Sequence, residues 1–180
     1  MEKIAACPKA KIIGRLAVFV LALGTTVSLK EGPAQAQTPV ERGRYLVTMG
    51  GCNDCHTPGY FSGKPDQTRV LGGSDVGFLG PDNGTYVGPN LTPDAETGLG
   101  YWSADDIVKA IQTGITPEGR ELAPMMPWRR FAGLQKSDAY AIAAYLKSLP
   151  TVKHQVAGPF GPSEHVTIPV MRVVRPEPPQ

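Results

Sequence analysis

Residues 50–57 read GGCNDCHT. Two thiols, Cys52 and Cys55, stand three apart, and an imidazole, His56, follows at once. The stretch just before it, TPVERGRYLVTM (38–49), opens with a helix start signal: Thr38 as cap and Pro39 at the first helical position. A helix is therefore predicted over 38–51. Gly43, Leu46 and Val47 fall on neighbouring faces, and Gly50 and Gly51 end it. The two cysteines and the histidine sit directly after that end.

Further toward the N-terminus the chain changes character. Lys3, Lys9, Lys11 and Arg15 make a basic start, Leu16–Leu29 is an uncharged, mostly apolar run, and Ala34-Gln35-Ala36 has the small-x-small pattern of a signal-peptidase site. The run is shorter than the roughly 20 residues that span a bilayer. Residues 1–36 are thus expected to be a cleaved export signal, with 37–150 a domain and 151–180 a tail. The whole chain has 18 basic and 16 acidic residues; cleavage after Ala36 leaves 13 and 14, a formal charge of −1. A nucleic-acid partner, which would want a clearly basic domain, is not expected. Cys7 lies ahead of the apolar run and is given no role.

Toward the C-terminus, residues 57–100 are crowded with Gly, Pro, Asn and Asp and read as loop. A loop of that length is unusual in a compact domain unless it wraps something that is not protein. Ser103–Gly114 reads as a helix, with a Ser103/Asp106 capping box and an Ile107, Val108, Ile111 stripe. Residues 118–134 read as loop again. Residues 136–149 give the clearest helix, with Ser137 as the expected cap, Ile142, Tyr145, Leu146 and Leu149 on one face, and Pro150 as its stop. The tail holds seven prolines from Pro150 onward and should run extended along the surface; no strand is predicted anywhere.

Cys-x-x-Cys-His is the attachment signature of c-type haem. Two thiols one helical turn apart can reach both vinyl groups of one porphyrin, and the next residue can offer a nitrogen to the iron. A redox dithiol would want a βαβ context, which is not visible. A zinc site would want more ligands, and His154 and His165 are too far apart for finger spacing. A structural disulfide is the remaining alternative. If haem is bound, the sixth iron position decides the function: filled, it favours electron transfer; open, it allows ligand binding or peroxide chemistry. On residue type alone the candidates are Met49, Met125, Met126, Met171, His154 and His165, and the proline-flanked loop holding Met125 and Met126 stands out.

With these motifs in place, the chain resembles a class I cytochrome c. The similarity lies in ERGRYLV followed by CNDCH, in GPNL (88–91), in YWS before a helix (101–103), in MPW and FAGL, and in AIAAYLKSL. More narrowly, GPNLTPDAETGLG, GRELAPMMPW and AIAAYLKSLPTVKH resemble the cytochrome modules of bacterial alcohol and aldehyde dehydrogenases, which hold several haems where this chain has one motif. The resemblance implies an all-α fold: three main helices around one covalent haem c, with long loops. It implies attachment through Cys52 and Cys55, axial ligation by His56 and Met126, and a Pro89 carbonyl accepting from His56. It also implies Trp102, Asn90 and Thr92 at the propionate edge. Arg120, Arg129, Arg130 and Lys136 bracket the methionine loop, and three readings stand open for them: a basic rim for an acidic partner, partners of the propionates, or a solvated face. His154 and His165 would be surface residues, and Gly43 would let the first helix cross the last against Tyr145.

The function implied is one-electron transfer in the periplasm, peripheral to the membrane at most. Its redox partners would be a dehydrogenase or quinol-oxidising complex on one side and an oxidase or another cytochrome on the other. The rivals are a haem enzyme or ligand sensor with an open iron site, and a fixed subunit of a membrane-associated dehydrogenase.

Overall fold

The computed structural model of the chain describes residues 36–176; the basic start and apolar run of the expected signal lie outside the described residues. The described residues form five helices and three short strands. Helix α1 (Pro39–Met49) begins as its sequence dictates: the Glu41 amide donates to Thr38 Oγ1 at 3.2 Å, and Glu41 Oε2 accepts from the Thr38 amide at 2.8 Å. Gly50 closes it, and Gly51, in the left-handed region at φ 68°, turns the chain into the one-turn helix α2 (Cys52–His56). Helix α3 (Ala104–Thr113) carries the same kind of capping box from Ser103 and Asp106, and Gly114 ends it at φ 75°.

Helix α4 (Trp128–Phe131) interrupts the second predicted loop, and α5 (Lys136–Ser148) closes the bundle. Ser137 is not the cap of α5. The cap is Gln135, and it makes no side-chain capping bond. The first turn is held instead by Asp138, which takes a two-pronged bond from Arg42 of α1 at 2.9 and 3.0 Å and complements the positive end of the helix.

The core is one apolar cluster between α1, α3 and α5: Val47, Ile107, Val108, Ala139, Ile142, Ala143 and Leu146, with Leu71 and Leu99 from the long loop. Each of its larger side chains stabilises the fold by about 1.5–3 kcal/mol. Helices α1 and α5 touch backbone to backbone. A Cβ on Gly43 would land on the Ala141 carbonyl oxygen and lie 2.7 Å from Tyr145 Cβ, so the glycine makes this crossing, as its sequence context suggested.

The loop from 57 to 100 is not structureless. Strands β1 (Gly77–Leu79) and β2 (Thr85–Val87) form an antiparallel hairpin, with Phe78 opposite Tyr86. Strand β3 (Val170–Met171), from the tail, pairs parallel with β1 on its other edge. Phe160 exchanges two backbone bonds with Thr85, at 2.8 and 2.9 Å, so the tail crosses the hairpin twice. The strands are two or three residues long and their apolar residues do not alternate. Pairing creates them, in a local hairpin for β1 and β2 and across some ninety positions for β3.

Candidate functional site

Helix α2 places Cys52 and Cys55 one turn apart, so both thiols emerge on the same side. Both are half-buried and unpaired. Burial pushes the Cys52 thiol up to about 11 and the Cys55 thiol upward too, with Asp54 adding in the same direction. Redox-active dithiols need the opposite shift, because the thiolate is the nucleophile. Among the described residues, no group of three or more His, Cys, Asp or Glu could hold a metal ion, which leaves a zinc site without its ligands.

His56 is buried, and its Nδ1 lies 2.8 Å from the Pro89 carbonyl oxygen. A carbonyl can only accept, so Nδ1 carries the hydrogen and Nε2 keeps the lone pair. Nε2 has no hydrogen-bond partner among the described residues. Desolvation lowers the ring's pKa, against a smaller opposing effect of the Pro89 bond, so the imidazole is neutral at pH 7. A neutral ring, fixed by one nitrogen and open at the other, beside two unpaired thiols in the same turn, is the donor set that haem c takes. The residues present fit the group.

Two bonds hold this turn, and a third joins the loop segments beside it. The Gly73 amide donates to the His56 carbonyl at 2.8 Å, the Leu71 amide donates to Thr57 Oγ1 at 3.0 Å, and the Ser74 amide donates to the Gly88 carbonyl at 2.8 Å. Gly88 itself lies flat against α2: a Cβ there would land on the Cys55 carbonyl oxygen and come within 3.4 Å of His56 Nδ1. Gly88→Ala is therefore expected to push the 88–90 loop off α2, cost about 1–3 kcal/mol, and weaken the Pro89 bond. A denaturant midpoint equal to that of the parent would contradict it.

Met125 and Met126 are both half-buried, whereas Met49 and Met171 are exposed. Their loop is tied down along its length. The Leu122 amide donates to Gly114 O at 2.8 Å, Met126 donates to Ala123 O at 2.9 Å, and Trp128 donates to Met126 O at 2.8 Å. The Trp128 indole lies over Gly114, where any Cβ would run into it, and the Arg129 guanidinium stacks 4.5 Å from that ring. Of the supposed basic rim, Arg129 is thus occupied by Trp128. Lys136 Nζ lies 5.7 Å over Tyr140, Arg120 reaches the Glu121 carbonyl at 3.2 Å, and Arg130 is exposed.

Trp102 is half-buried against the core, and its carbonyl accepts from Lys147 Nζ at 2.8 Å. Asn90 and Thr92 are tied into the protein by their side chains. Both are buried, and Asn90 Nδ2 donates to Thr97 Oγ1 at 3.0 Å and to the Val152 carbonyl at 2.6 Å. Thr92 Oγ1 donates to Asn90 Oδ1 at 2.7 Å. The side-chain donors of both residues are thus spent on protein. His154 is not a free surface residue either: its Nδ1 donates to the Gly72 carbonyl at 2.7 Å, while His165 is exposed. Gly73, Thr57, Thr97 and Val152 were not visible as site residues in the sequence. Only the Gly72-Gly73 pair signalled a close backbone approach.

The cytochrome c family profile matches residues 40–150. The chain is 36% identical over 119 residues to one of the nicotinate dehydrogenase subunits of Pseudomonas putida, covering 64% of this chain and 9% of that one. It is 36% identical over 112 residues to the fructose dehydrogenase cytochrome subunit of Gluconobacter japonicus, covering 61% and 22%. It is 33% identical over 124 residues to a dihaem cytochrome c-type protein of Cereibacter sphaeroides, covering 66% and 40%. The matched stretch is less than half the length of each of these relatives. With a profile match over more than half its length and the Cys-x-x-Cys-His turn in place, the chain belongs to the cytochrome c family.

Proposed function

We propose that the chain is a single-haem electron carrier of the periplasm. Cys52 and Cys55 would hold haem c through thioethers, and His56 Nε2 and Met126 Sδ would hold its iron. The observation that carries this is the state of His56: Nδ1 committed to Pro89 at 2.8 Å and Nε2 left without a partner among the described residues. Bound haem supplies a one-electron couple. The chain's own residues keep the ligands still: α2 fixes the thiols, Pro89 fixes the ring, and the bonds from Gly114 to Trp128 stiffen the methionine loop. A site with both axial positions filled passes electrons and does not bind substrate.

Support for a dehydrogenase as electron donor comes from the relatives, several of which bear names of dehydrogenase cytochrome subunits. The acceptor would be an oxidase or another cytochrome. Export rests on the basic and apolar N-terminal stretch. Among the described residues no helix is long and apolar enough to cross a membrane. The relatives' names also favour a second reading, a fixed subunit of a dehydrogenase. Sizing the purified protein separates the two: a carrier runs as a monomer, and a subunit co-purifies with its enzyme.

Met126→Ala tests the ligand set. It should leave the haem attached, remove the far-red ferric absorption of a methionine–iron bond, and lower the potential by on the order of 100 mV, within the ~0.8 V range that axial ligands span. Met125→Ala should do neither. Spectroelectrochemistry that gives the two outcomes interchanged would move the ligand to Met125.

A further inference from the structure

Two bonds hold His56: Pro89 O on its ring nitrogen and the Gly73 amide on its carbonyl, both at 2.8 Å. These grips come from separate loop segments, 71–73 and 88–92, and one stretch of the tail ties both segments together. On one side, Val152 accepts from Asn90 Nδ2 at 2.6 Å and donates its amide to Thr92 Oγ1 at 3.1 Å. The His154 amide donates to Thr97 Oγ1 at 3.1 Å. On the other side, His154 Nδ1 donates to Gly72 O at 2.7 Å. A Cβ on Gly73 would overlap Val156, and one on Gly72 would lie 3.0 Å from Val152.

Asn90 is the node. It is 1% exposed, and it uses all four hydrogen-bonding positions of its amide: two donated to Thr97 and Val152, two accepted from the Thr92 amide and hydroxyl. It is also the residue immediately after Pro89. A buried, fully satisfied network of this kind fixes one backbone arrangement, because any slippage leaves a polar group unpaired. The tail segment lies beyond the residues matched by the family profile, 40–150.

We propose that residues 152–156 act as a clasp that sets the His56 ring through Asn90 and Thr97, which are positioning residues for the axial ligand. The proposal rests on His56 being that ligand. The stronger the Nδ1–H bond to Pro89, the more electron density the ring offers through Nε2. That density favours the oxidised iron, so a loosened clasp raises the potential.

The experiment uses holoprotein carrying Thr97→Val, Thr97→Ser or Asn90→Ala, with Lys153→Ala as control. Lys153 sits inside the clasp segment, but among the described residues its side chain makes only an exposed pair with Glu96 at 2.7 Å. Two readouts are taken: the reduction potential, and the exchange rate of the His56 Nδ1 proton by NMR on the ferrous protein. Thr97→Val should raise the potential and speed that exchange about tenfold or more, as local opening becomes easier. Asn90→Ala, if it folds, should do more. Thr97→Ser, which keeps the hydroxyl, and Lys153→Ala should match the parent in both. If Thr97→Val lowers the melting temperature yet leaves potential and exchange at the parent values, the tail is scaffold only and the proposal is overturned. A parent protein without a histidine-ligated haem spectrum would instead sink the functional reading, and would show before any variant is made.

Discussion

The Cys52→Ser, Cys55→Ser double variant is expected to lose covalent haem completely. Serine keeps nearly the size of cysteine, and both side chains are only half-buried in a turn whose backbone is held by Thr57 and Gly73. The fold around α2 should therefore survive, and the change isolates the sulphurs. A hydroxyl forms no thioether, so acid–acetone extraction should strip every haem from the variant and none from the parent. Mass spectrometry of the intact chain gives the same answer as a missing haem mass. If that mass remains, attachment lies elsewhere and the assignment of this turn is wrong.

Gly43→Ala should be among the most destabilising single changes in the chain. On an exposed helix the same change would stabilise by about 1 kcal/mol through helix propensity. Here the new methyl would meet the Ala141 carbonyl, which is main chain in the middle of α5 and cannot swing aside. Helix α1 must then back away from α5, opening the contacts of Val47 with the core. Overpacking of this kind costs about 1–3 kcal/mol and sometimes more, a large part of the roughly 5–15 kcal/mol that keeps a domain folded. Urea unfolding reads it directly. A variant as stable as the parent, or more so, would mean the helices do not cross this closely.

What the sequence disclosed follows from how local each signal is. The Thr38-Pro39 start and the Ser103/Asp106 box act over a few residues, and the helices begin where they say. The Cys-x-x-Cys-His turn is equally local. Ser137 misled because a serine near a helix start looks like a cap, while the first turn of α5 is secured by Arg42, ninety-six positions away. The same holds for the sheet: Gly77–Leu79 has no strand pattern, and its pairing with Thr85–Val87 and with Val170 and Met171 from the tail makes it a strand. Asn90 and Thr92 stand beside Pro89 in sequence, which drew them toward the haem edge. The side-chain donors of Asn90 go to Val152 and Thr97, and that of Thr92 to Asn90, partners that neither period nor spacing could reveal.

The tail's late place in the chain has a consequence for assembly. The cysteine turn is finished within the first third of the polypeptide, but residues 152–156 that brace it are made nearly a hundred positions later. Closing so long a span is slow and is completed only by contacts already in register. During synthesis the thiols are therefore made before the brace is, and they remain open to chemistry while the histidine beside them still has room to turn.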